Sequence, residues 1–380
     1  MLTKHRGEFY LVMGALVFAF NGIISTIVLE HNSPFRLAQV RSIGAFFILL
    51  AIALFIDRES LRAPKKLIPK LAAYGIIGFA AVQAGYFLGI QRGVPLSLVL
   101  IIEFTAPIWI ALWIKYVRKM FVPGSMWVAI ALSLLGLVLL AQVWNGLSFD
   151  LIGLLGALFS AFALTAYFLI GKSFGTSRSA LSLTVWGLGM ATLAWSSSMP
   201  VWQFPFEVFT IDMDLQGVFA GNTLPGWVLI LWIILMGTIV PYLFVISGLR
   251  LLSASTSSVI GMMEPVFAGI FAWIWLEQSW NGIQLIGAVV VLVGIYIADR
   301  ARSECGHRHR RESHRFGANR RLVSMVRELP GAVLQVHRDS AGEGRLVGWN
   351  GGLGRKPGAR CARSRGTDHR SDSRAGDTRE

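Results

Sequence analysis

The chain has 380 residues, of which 54% are hydrophobic and 15% charged. With a mean hydropathy of +0.59, this excludes an ordinary soluble domain, in which roughly a quarter of the residues are charged. Residues 1–298 carry a net charge of +5 and residues 299–380 a net charge of +9. Both cysteines also lie in the second part. The apolar part therefore predicts neither a basic nucleic-acid-binding domain nor a disulfide or cysteine-based metal site.

Ten apolar stretches of about twenty residues follow one another, which is the length a helix needs to cross ~30 Å of hydrocarbon. We number them spans 1 to 10: 9–29, 37–56, 70–90, 95–115, 125–143, 150–171, 180–203, 227–249, 254–276 and 280–298. Lys4 and Arg6 precede span 1, as in a signal peptide. The stretch lacks a small-residue cleavage site, so we expect a retained helix.

The basic residues between the spans predict the orientation. With the N-terminus in the cytoplasm, the inner segments before residue 299 carry thirteen Lys and Arg residues, and the outer segments carry only Arg36 and Arg92. Cytoplasmic loops retain positive charge. We therefore expect ten spans in the plasma (inner) membrane, with both termini cytoplasmic.

The outer connection 204–226 is long, and Val208, Ile211, Leu215 and Val218 recur in it at helical spacing. This pattern suits an amphipathic helix on the membrane surface, and an irregular loop is the alternative.

An internal repeat is visible in the sequence. Residues 14–20 match residues 156–162 at five of seven positions, and an offset of 158 takes Pro107 in span 4 to Pro265 in span 9. Five spans per half is an odd number, so the halves must enter the membrane from opposite sides. We expect an all-α membrane protein built from two inverted five-helix repeats, 9–143 and 150–298, an arrangement characteristic of transporters.

The order of these features resembles the drug/metabolite transporter superfamily, specifically its EamA-type ten-helix members. The resemblance covers about residues 9–298 and rests on the ten spans, the repeat, Arg41, Pro107, Pro265, Leu276-Glu277, Gly287 and Gly294. The chain departs from the family pattern at Lys119, where the first half often has an acidic residue like Glu277. The resemblance implies a secondary transporter that exports or exchanges small polar metabolites such as amino acids. It implies no cofactor, and it leaves open a homodimer.

A few polar side chains lie inside the spans, where a charge costs at least ~2.5 kcal/mol. We expect them to converge on one central cavity formed mainly by spans 1, 3, 4, 6, 8 and 9, with spans 5 and 10 further away. The candidates are Glu103, Glu264, Asn21, Gln83, Tyr86, Tyr167, Tyr242 and Arg41. Interhelical hydrogen bonding is the alternative role for the neutral residues. Arg41 could instead extend to the outer interface, and Glu277 ends span 9 in a structural position.

Prolines inside spans 4, 8 and 9 predict kinks, because proline removes a helical hydrogen bond. They are Pro107, Pro241 and Pro265, and each could shape a cavity, form a hinge or serve packing.

Glu103 and Glu264 are the candidate functional core. Burial and a neighbouring carboxylate both favour the protonated form of a carboxyl group. We therefore expect at least one of the two to be protonated at neutral pH in one transport state, which would couple transport to protons. Fixed hydrogen bonding is the structural alternative for both.

Residues 299–380 contain eighteen Arg, one Lys and few aliphatic residues. This composition predicts a disordered cytoplasmic tail. Its Cys305-Gly306-His307-Arg308-His309 segment lacks a second pair of ligands for a metal.

Two other function classes compete with transport. An intramembrane enzyme would have to use Glu103 and Glu264, because no span contains His or Cys and Asp150 lies only at a rim. A membrane scaffold that transports nothing is the other alternative. No glycine-rich ATP-binding loop is present, so the sequence favours a non-enzymatic secondary transporter whose partners are a small solute and the lipid bilayer.

Overall fold

The computed structural model of the chain describes residues 5–142 and 150–301, together with two short strands further along. The breaker sequence 144–146, the Cys305–His309 segment and nearly all of the expected tail lie outside the described residues.

Helices make up most of the described chain. They are α1 (Arg6–Leu29), α2 (Pro34–Ile56), α3 (Ile68–Gly75), α4 (Val82–Gln91), α5 (Leu96–Glu103), α6 (Ala106–Leu112), α7 (Gly124–Ala141), α8 (Leu151–Phe174), α9 (Ala180–Ser198), α10 (Gly226–Ile234), α11 (Val240–Leu251), α12 (Ala254–Gly261), α13 (Met263–Leu276) and α14 (Gly282–Ala301). The strands are β1 (Asp212–Asp214), β2 (Thr223–Pro225), β3 (His337–Arg338) and β4 (Gly344–Arg345).

Nine helical stretches in the described residues are long and apolar enough to cross a membrane. They correspond to predicted spans 1–6 and 8–10. The helix of predicted span 7, α9, has 19 residues and is not one of the nine. It ends at Ser198 rather than at residue 203. The all-α membrane fold is confirmed, whereas the count of ten spans stays a prediction.

Spans 4 and 9 are each made of two helices with a break between them. α5 ends at Glu103 and α6 begins at Ala106, while α12 ends at Gly261 and α13 begins at Met263. Each break lies within four residues before a proline, Pro107 or Pro265. Because proline has no N–H and its ring clashes with the preceding turn, the helix is interrupted at both places.

Three stretches of the long helical runs have the wider turn of a π-helix. They are Ile76–Ala81 between α3 and α4, Trp113–Val117 after α6, and Leu235–Ile239 between α10 and α11. Such turns leave individual carbonyl groups outside the regular helical pattern. The third stretch lies directly before Pro241.

The connection 204–226 forms no amphipathic helix, so that prediction was wrong. It contains short 3-10 turns and a β1–β2 antiparallel hairpin, in which Asp212 pairs with Pro225 and Asp214 with Thr223. The Asp214 carboxylate accepts hydrogen bonds from the backbone N–H groups of Gln216 (2.6 Å) and Gly221 (2.7 Å). This local turn competes with a helix, so helical spacing of the apolar residues was insufficient. We call residues 204–225 the hairpin segment.

The helix bundle has two chemically different ends. At one end, Lys70 Nζ donates to the Ser173 carbonyl (3.3 Å) and Lys172 Nζ donates to the Arg250 carbonyl (2.9 Å). Arg250 itself donates to the carbonyls of residues 175 and 176. These cations stabilise the carboxyl end of α8, where the helix dipole is negative. We call this end the basic face and the opposite end, which carries the hairpin segment, the hairpin face.

Spans 5 and 10 pack against each other through glycines. A Cβ atom added at Gly287 of α14 would lie 2.5 Å from the backbone nitrogen of Leu140 and 2.7 Å from the carbonyl oxygen of Gly136, both in α7. Among the remaining helices, α1 contacts α11 and α13, α8 contacts α4, α5 and α6, and α2 contacts α9. A cavity lies among these central helices.

Candidate functional site: the central cavity

The cavity has a volume of about 580 Å³. Its described lining comes from α1, α2, the α3–α4 run, α5, α6, α8, α11, α12 and α13, and none comes from α7, α9 or α14. Spans 1, 3, 4, 6, 8 and 9 therefore surround it, and spans 5 and 10 lie apart from it. Span 2 also contributes, through Leu37 and Arg41. The lining extends to Gln278, an exposed residue at the hairpin face.

The structure brings all eight predicted polar residues into the wall of this one cavity. They are Asn21, Arg41, Gln83, Tyr86, Glu103, Tyr167, Tyr242 and Glu264. Pro107 and Pro265 line it too, and Pro241 does not. The rest of the lining is mainly aliphatic and phenylalanine side chains. A small polar cluster in a mostly apolar wall is typical of ligand-binding cavities.

Several buried polar atoms at the cavity have no hydrogen-bond partner among the described residues. Asn21 is only 4% exposed, and Ser257 is fully buried. The Asn21 Oδ1 atom, the Arg41 Nε atom and the Ser257 hydroxyl make no hydrogen bond there. An unsatisfied buried polar group costs about 1–3 kcal/mol. A ligand with hydrogen-bond donors and acceptors would recover that cost.

The charged side chains of the cavity are close enough to influence one another. Glu264 interacts electrostatically with both Arg41 and Glu103. Tyr86 lies within electrostatic range of all three. The described residues nevertheless include no ion pair between Arg41 and either glutamate. One cation and two carboxyl groups thus share a partly enclosed space without neutralising one another by direct contact.

Arg41 points into the cavity rather than extending to the interface. Its Nη2 atom donates to the backbone carbonyl of Gly237 in the π-helical stretch at 3.3 Å. Its Nε atom is buried and has no hydrogen-bond partner among the described residues. The guanidinium group is therefore held from one side and retains a buried donor.

An aromatic layer separates the cavity from the basic face. The Tyr74 ring stacks on the Tyr167 ring at 5.4 Å and meets Phe174 edge to face at 5.7 Å. Phe79 lies 4.5 Å from the ring of Tyr242. Tyr74 and Phe79 are fully buried. These buried rings lie between Tyr167 and Tyr242 in the cavity wall and Phe174 at the end of α8. On the other side, the cavity lining reaches the exposed residue Gln278.

Sequence reasoning missed several lining residues. Ser257 and Ser258 of α12 line the cavity and are almost completely buried, and the Ser257 hydroxyl has no partner among the described residues. The hydroxyl-rich run 253–258 inside an apolar span could have indicated them. The Gly237 carbonyl carries no such signal, because a backbone group depends on local geometry and not on residue type.

The other predicted elements are peripheral to the cavity. Glu277 directly follows α13 as its C-cap, in a left-handed conformation with φ 56°, consistent with a structural position at the end of span 9. In the described ranges no three His, Cys, Asp or Glu side chains gather as a metal site would require.

Comparisons with known proteins identify the family. The profile of the EamA-like transporter family matches residues 5–142 and again residues 151–298. Over 291 residues the chain is 26% identical to the uncharacterized transporter YdfC of Bacillus subtilis (strain 168), covering 75% of this chain and 87% of that protein.

Two further relatives have more specific names. The threonine/homoserine exporter RhtA of Salmonella typhimurium (strain LT2) is 27% identical over 64% of this chain and 75% of its own length. The probable amino-acid metabolite efflux pump of Escherichia coli (strain K12) is 24% identical over 74% of this chain and 91% of its own length.

A solved crystal structure superposes on the chain with a TM-score of 0.63. The match covers 78% of this chain and 98% of the other, at 15% sequence identity, so it supports the fold alone. The two profile matches cover most of the chain and coincide with the helical body that surrounds the cavity. The chain therefore belongs to the EamA-like transporter family and is a multi-pass membrane transporter.

Proposed function

We propose that the protein is a secondary transporter that exports or exchanges small polar metabolites, amino acids among them, across the plasma membrane by alternating access. The observation that carries this proposal is the single cavity in which Glu103, Glu264 and Arg41 meet unpartnered polar atoms. The cavity lining reaches an exposed residue at the hairpin face, and we propose that the aromatic layer closes the basic side. One-sided access is expected of a transporter in one of its two end states.

The names of two relatives support amino acids as the solute class, since one relative is named a threonine/homoserine exporter and the other a probable amino-acid metabolite efflux pump. The size of the cavity is compatible with such solutes. The two consecutive profile matches support the division into repeats 9–143 and 150–298. The positions of Pro107 and Pro265 beside equivalent helix breaks support the same division. We propose that the repeats are inverted and that the basic face is cytoplasmic, as the positive-inside bias requires.

The test is counterflow in proteoliposomes. Purified protein is reconstituted, the vesicles are loaded with one unlabelled amino acid, and entry of the labelled form is followed. Exchange of unchanged solute is expected. Recovery of covalently altered solute would instead favour the enzyme alternative, in which Glu103 and Glu264 perform chemistry. Absence of exchange for every amino acid tried, in protein that remains folded, would contradict amino acids as substrates.

A further inference from the structure

Arg41 is an incompletely paired cation in the wall of the cavity. It donates one hydrogen bond, from Nη2 to the Gly237 carbonyl, and its buried Nε atom has no partner in the part of the chain that the structure describes. A guanidinium group in an apolar environment is costly unless its donors are used. A ligand group that accepts hydrogen bonds and carries negative charge would use the remaining donor and balance the positive charge of Arg41.

Pro241 explains why the Gly237 carbonyl is free to hold Arg41. In a regular helix the carbonyl of residue 237 would accept from the N–H of residue 241. Proline has no N–H, and the chain takes the wider π-helical turn at Leu235–Ile239 directly before it. The Gly237 carbonyl is therefore without its usual helical donor, and Arg41 supplies the replacement.

Gly237 packs closely against the Asn21 side chain of α1. A Cβ atom at residue 237 would lie 2.0 Å from Asn21 Oδ1, so a larger residue there would displace the Asn21 side chain. The Asn21 amide nitrogen donates to the Ser25 hydroxyl at 3.1 Å, which orients the side chain along α1. Three elements, α1, α2 and the run from α10 to α11, thus meet at the point that anchors Arg41.

One guanidinium group and two carboxyl groups occupy the same cavity. Glu264 at the start of α13 interacts electrostatically with Arg41 but makes no direct ion pair with it among the described residues. Glu103 adds a second carboxyl group nearby. A ligand with a carboxylate at one end and an ammonium group at the other would pair with Arg41 and with a glutamate at the same time. A ligand without a carboxylate would leave Arg41 unpaired.

We propose that Arg41 binds the free carboxylate of a zwitterionic substrate, and that Pro241, through the Gly237 carbonyl, is the positioning residue for Arg41. This inference rests on the proposed function and deepens it, because it makes a free carboxylate a requirement for recognition. Arginine suits the role because its planar group pairs with a carboxylate through two parallel hydrogen bonds.

The experiment compares each amino acid with its own amide, which has the same side chain and ammonium group but no carboxylate. Leucine, phenylalanine, threonine and their amides compete with the labelled amino acid in the counterflow assay. Wild-type protein should prefer the acid by roughly 10- to 100-fold, the range expected for a hydrogen bond to a charged group. In Arg41→Gln the preference should fall to near one, while inhibition by the amide is unchanged.

Pro241→Ala tests the positioning role. Alanine restores a backbone N–H that competes for the Gly237 carbonyl, so the acid-over-amide preference should fall while the amide still inhibits as before. A packing role alone would weaken acid and amide equally. Arg36→Gln is the matched control, since Arg36 lies on the same helix but bonds Gln39 and the Pro200 carbonyl outside the cavity. It should keep the wild-type preference.

The outcomes separate the two proposals. If no amino acid exchanges, the proposed function is wrong and this inference falls with it. If amino acids exchange but wild-type protein treats acid and amide alike, the function stands and the carboxylate requirement is wrong. That comparison needs no variant, so it holds even if Arg41→Gln fails to fold. A folded Arg41→Gln protein that keeps the full preference would also overturn the inference.

Discussion

Glu103 and Glu264 lie on different sides of two equivalent helix breaks. Glu103 is the last residue of α5, before the break in span 4, and Glu264 is the second residue of α13, after the break in span 9. Both side chains are half-buried in the cavity wall. Each break brings one carboxyl group to the cavity, and the two groups interact electrostatically. A change in the hydration of the cavity would therefore affect the ionisation of both carboxyl groups.

Glutamine substitution tests whether these carboxyl groups carry a coupling proton. Gln keeps the shape and hydrogen bonding of Glu but cannot titrate. We expect Glu103→Gln and Glu264→Gln to flatten the dependence of transport on pH across about two units around neutrality, measured as solute exchange in proteoliposomes. Glu207→Gln, at an exposed position in the hairpin segment, should keep the wild-type profile. Wild-type rates and profiles in both cavity variants would return both residues to a structural role.

Charged and polar residues inside apolar spans could be identified from sequence because burial in hydrocarbon is costly enough to require a reason. All eight candidates lie at the cavity wall. Their hydrogen-bond partners could not be identified in the same way. The anchor of Arg41 is a backbone carbonyl 196 residues away in the chain. Its availability depends on the local helical turn before Pro241, which residue types alone do not specify.

At the scale of elements, the two helices outside the cavity depend on close backbone packing. α7 and α14 approach so closely that a Cβ atom at Gly287 would lie within 2.7 Å of backbone atoms of α7. Neither partner atom belongs to a flexible side chain, so the helices would have to separate. The sequence alone does not identify α7 as the partner of Gly287, because a glycine permits close packing without specifying which helix approaches it.

We expect Gly287→Ala to lower thermal stability, since overpacking in a well-packed interface costs about 1–3 kcal/mol. The measurement is the unfolding temperature of detergent-solubilised protein, followed by tryptophan fluorescence. Gly282→Ala is the control, because a Cβ atom there has no neighbour within 4 Å. It should be neutral or slightly stabilising, as alanine favours helix. Equal unfolding temperatures for the two variants would contradict the packing argument.

Helix boundaries were predicted well where the length of an apolar stretch sets them. They were predicted poorly where local turn hydrogen bonds set them. Span 1 was expected at 9–29 and α1 covers Arg6–Leu29. The hairpin segment has apolar residues at helical spacing, yet Asp214 forms a turn that ends any helix there. The π-helical stretches were not predicted either, because apolar periodicity over a few residues does not distinguish them from α-helix.

At the scale of the whole molecule, the transporter part of the chain is the region of the two family matches. The second match ends at residue 298, and the last described helix ends at Ala301. Every cavity-lining residue that the structure describes lies within that part. The composition of the rest differs sharply, with eighteen Arg against one Lys.

Deletion of residues 303–380 should leave solute exchange within about twofold of the full chain, because both family matches and all described lining residues lie before residue 303. The comparison uses equal amounts of reconstituted protein, with membrane insertion measured separately. Normal insertion combined with lost exchange would show that the segment is required for transport.

The hairpin segment occurs only in the second half of the chain, and it joins two helix ends at the hairpin face. Gln216 Nε2 donates to Glu30 Oε1 just after α1 (2.7 Å), and the Trp275 indole of α13 donates to the Leu215 carbonyl (2.9 Å). In the proposed alternating-access mechanism, two inverted halves of identical sequence would give end states of equal free energy. Any movement that separates these two helix ends must break both hydrogen bonds, which are worth about 1–3 kcal/mol together. States that keep the ends together would then be favoured by roughly five- to 150-fold, and the proposed transport cycle would have a preferred end state before any solute or gradient acts on it.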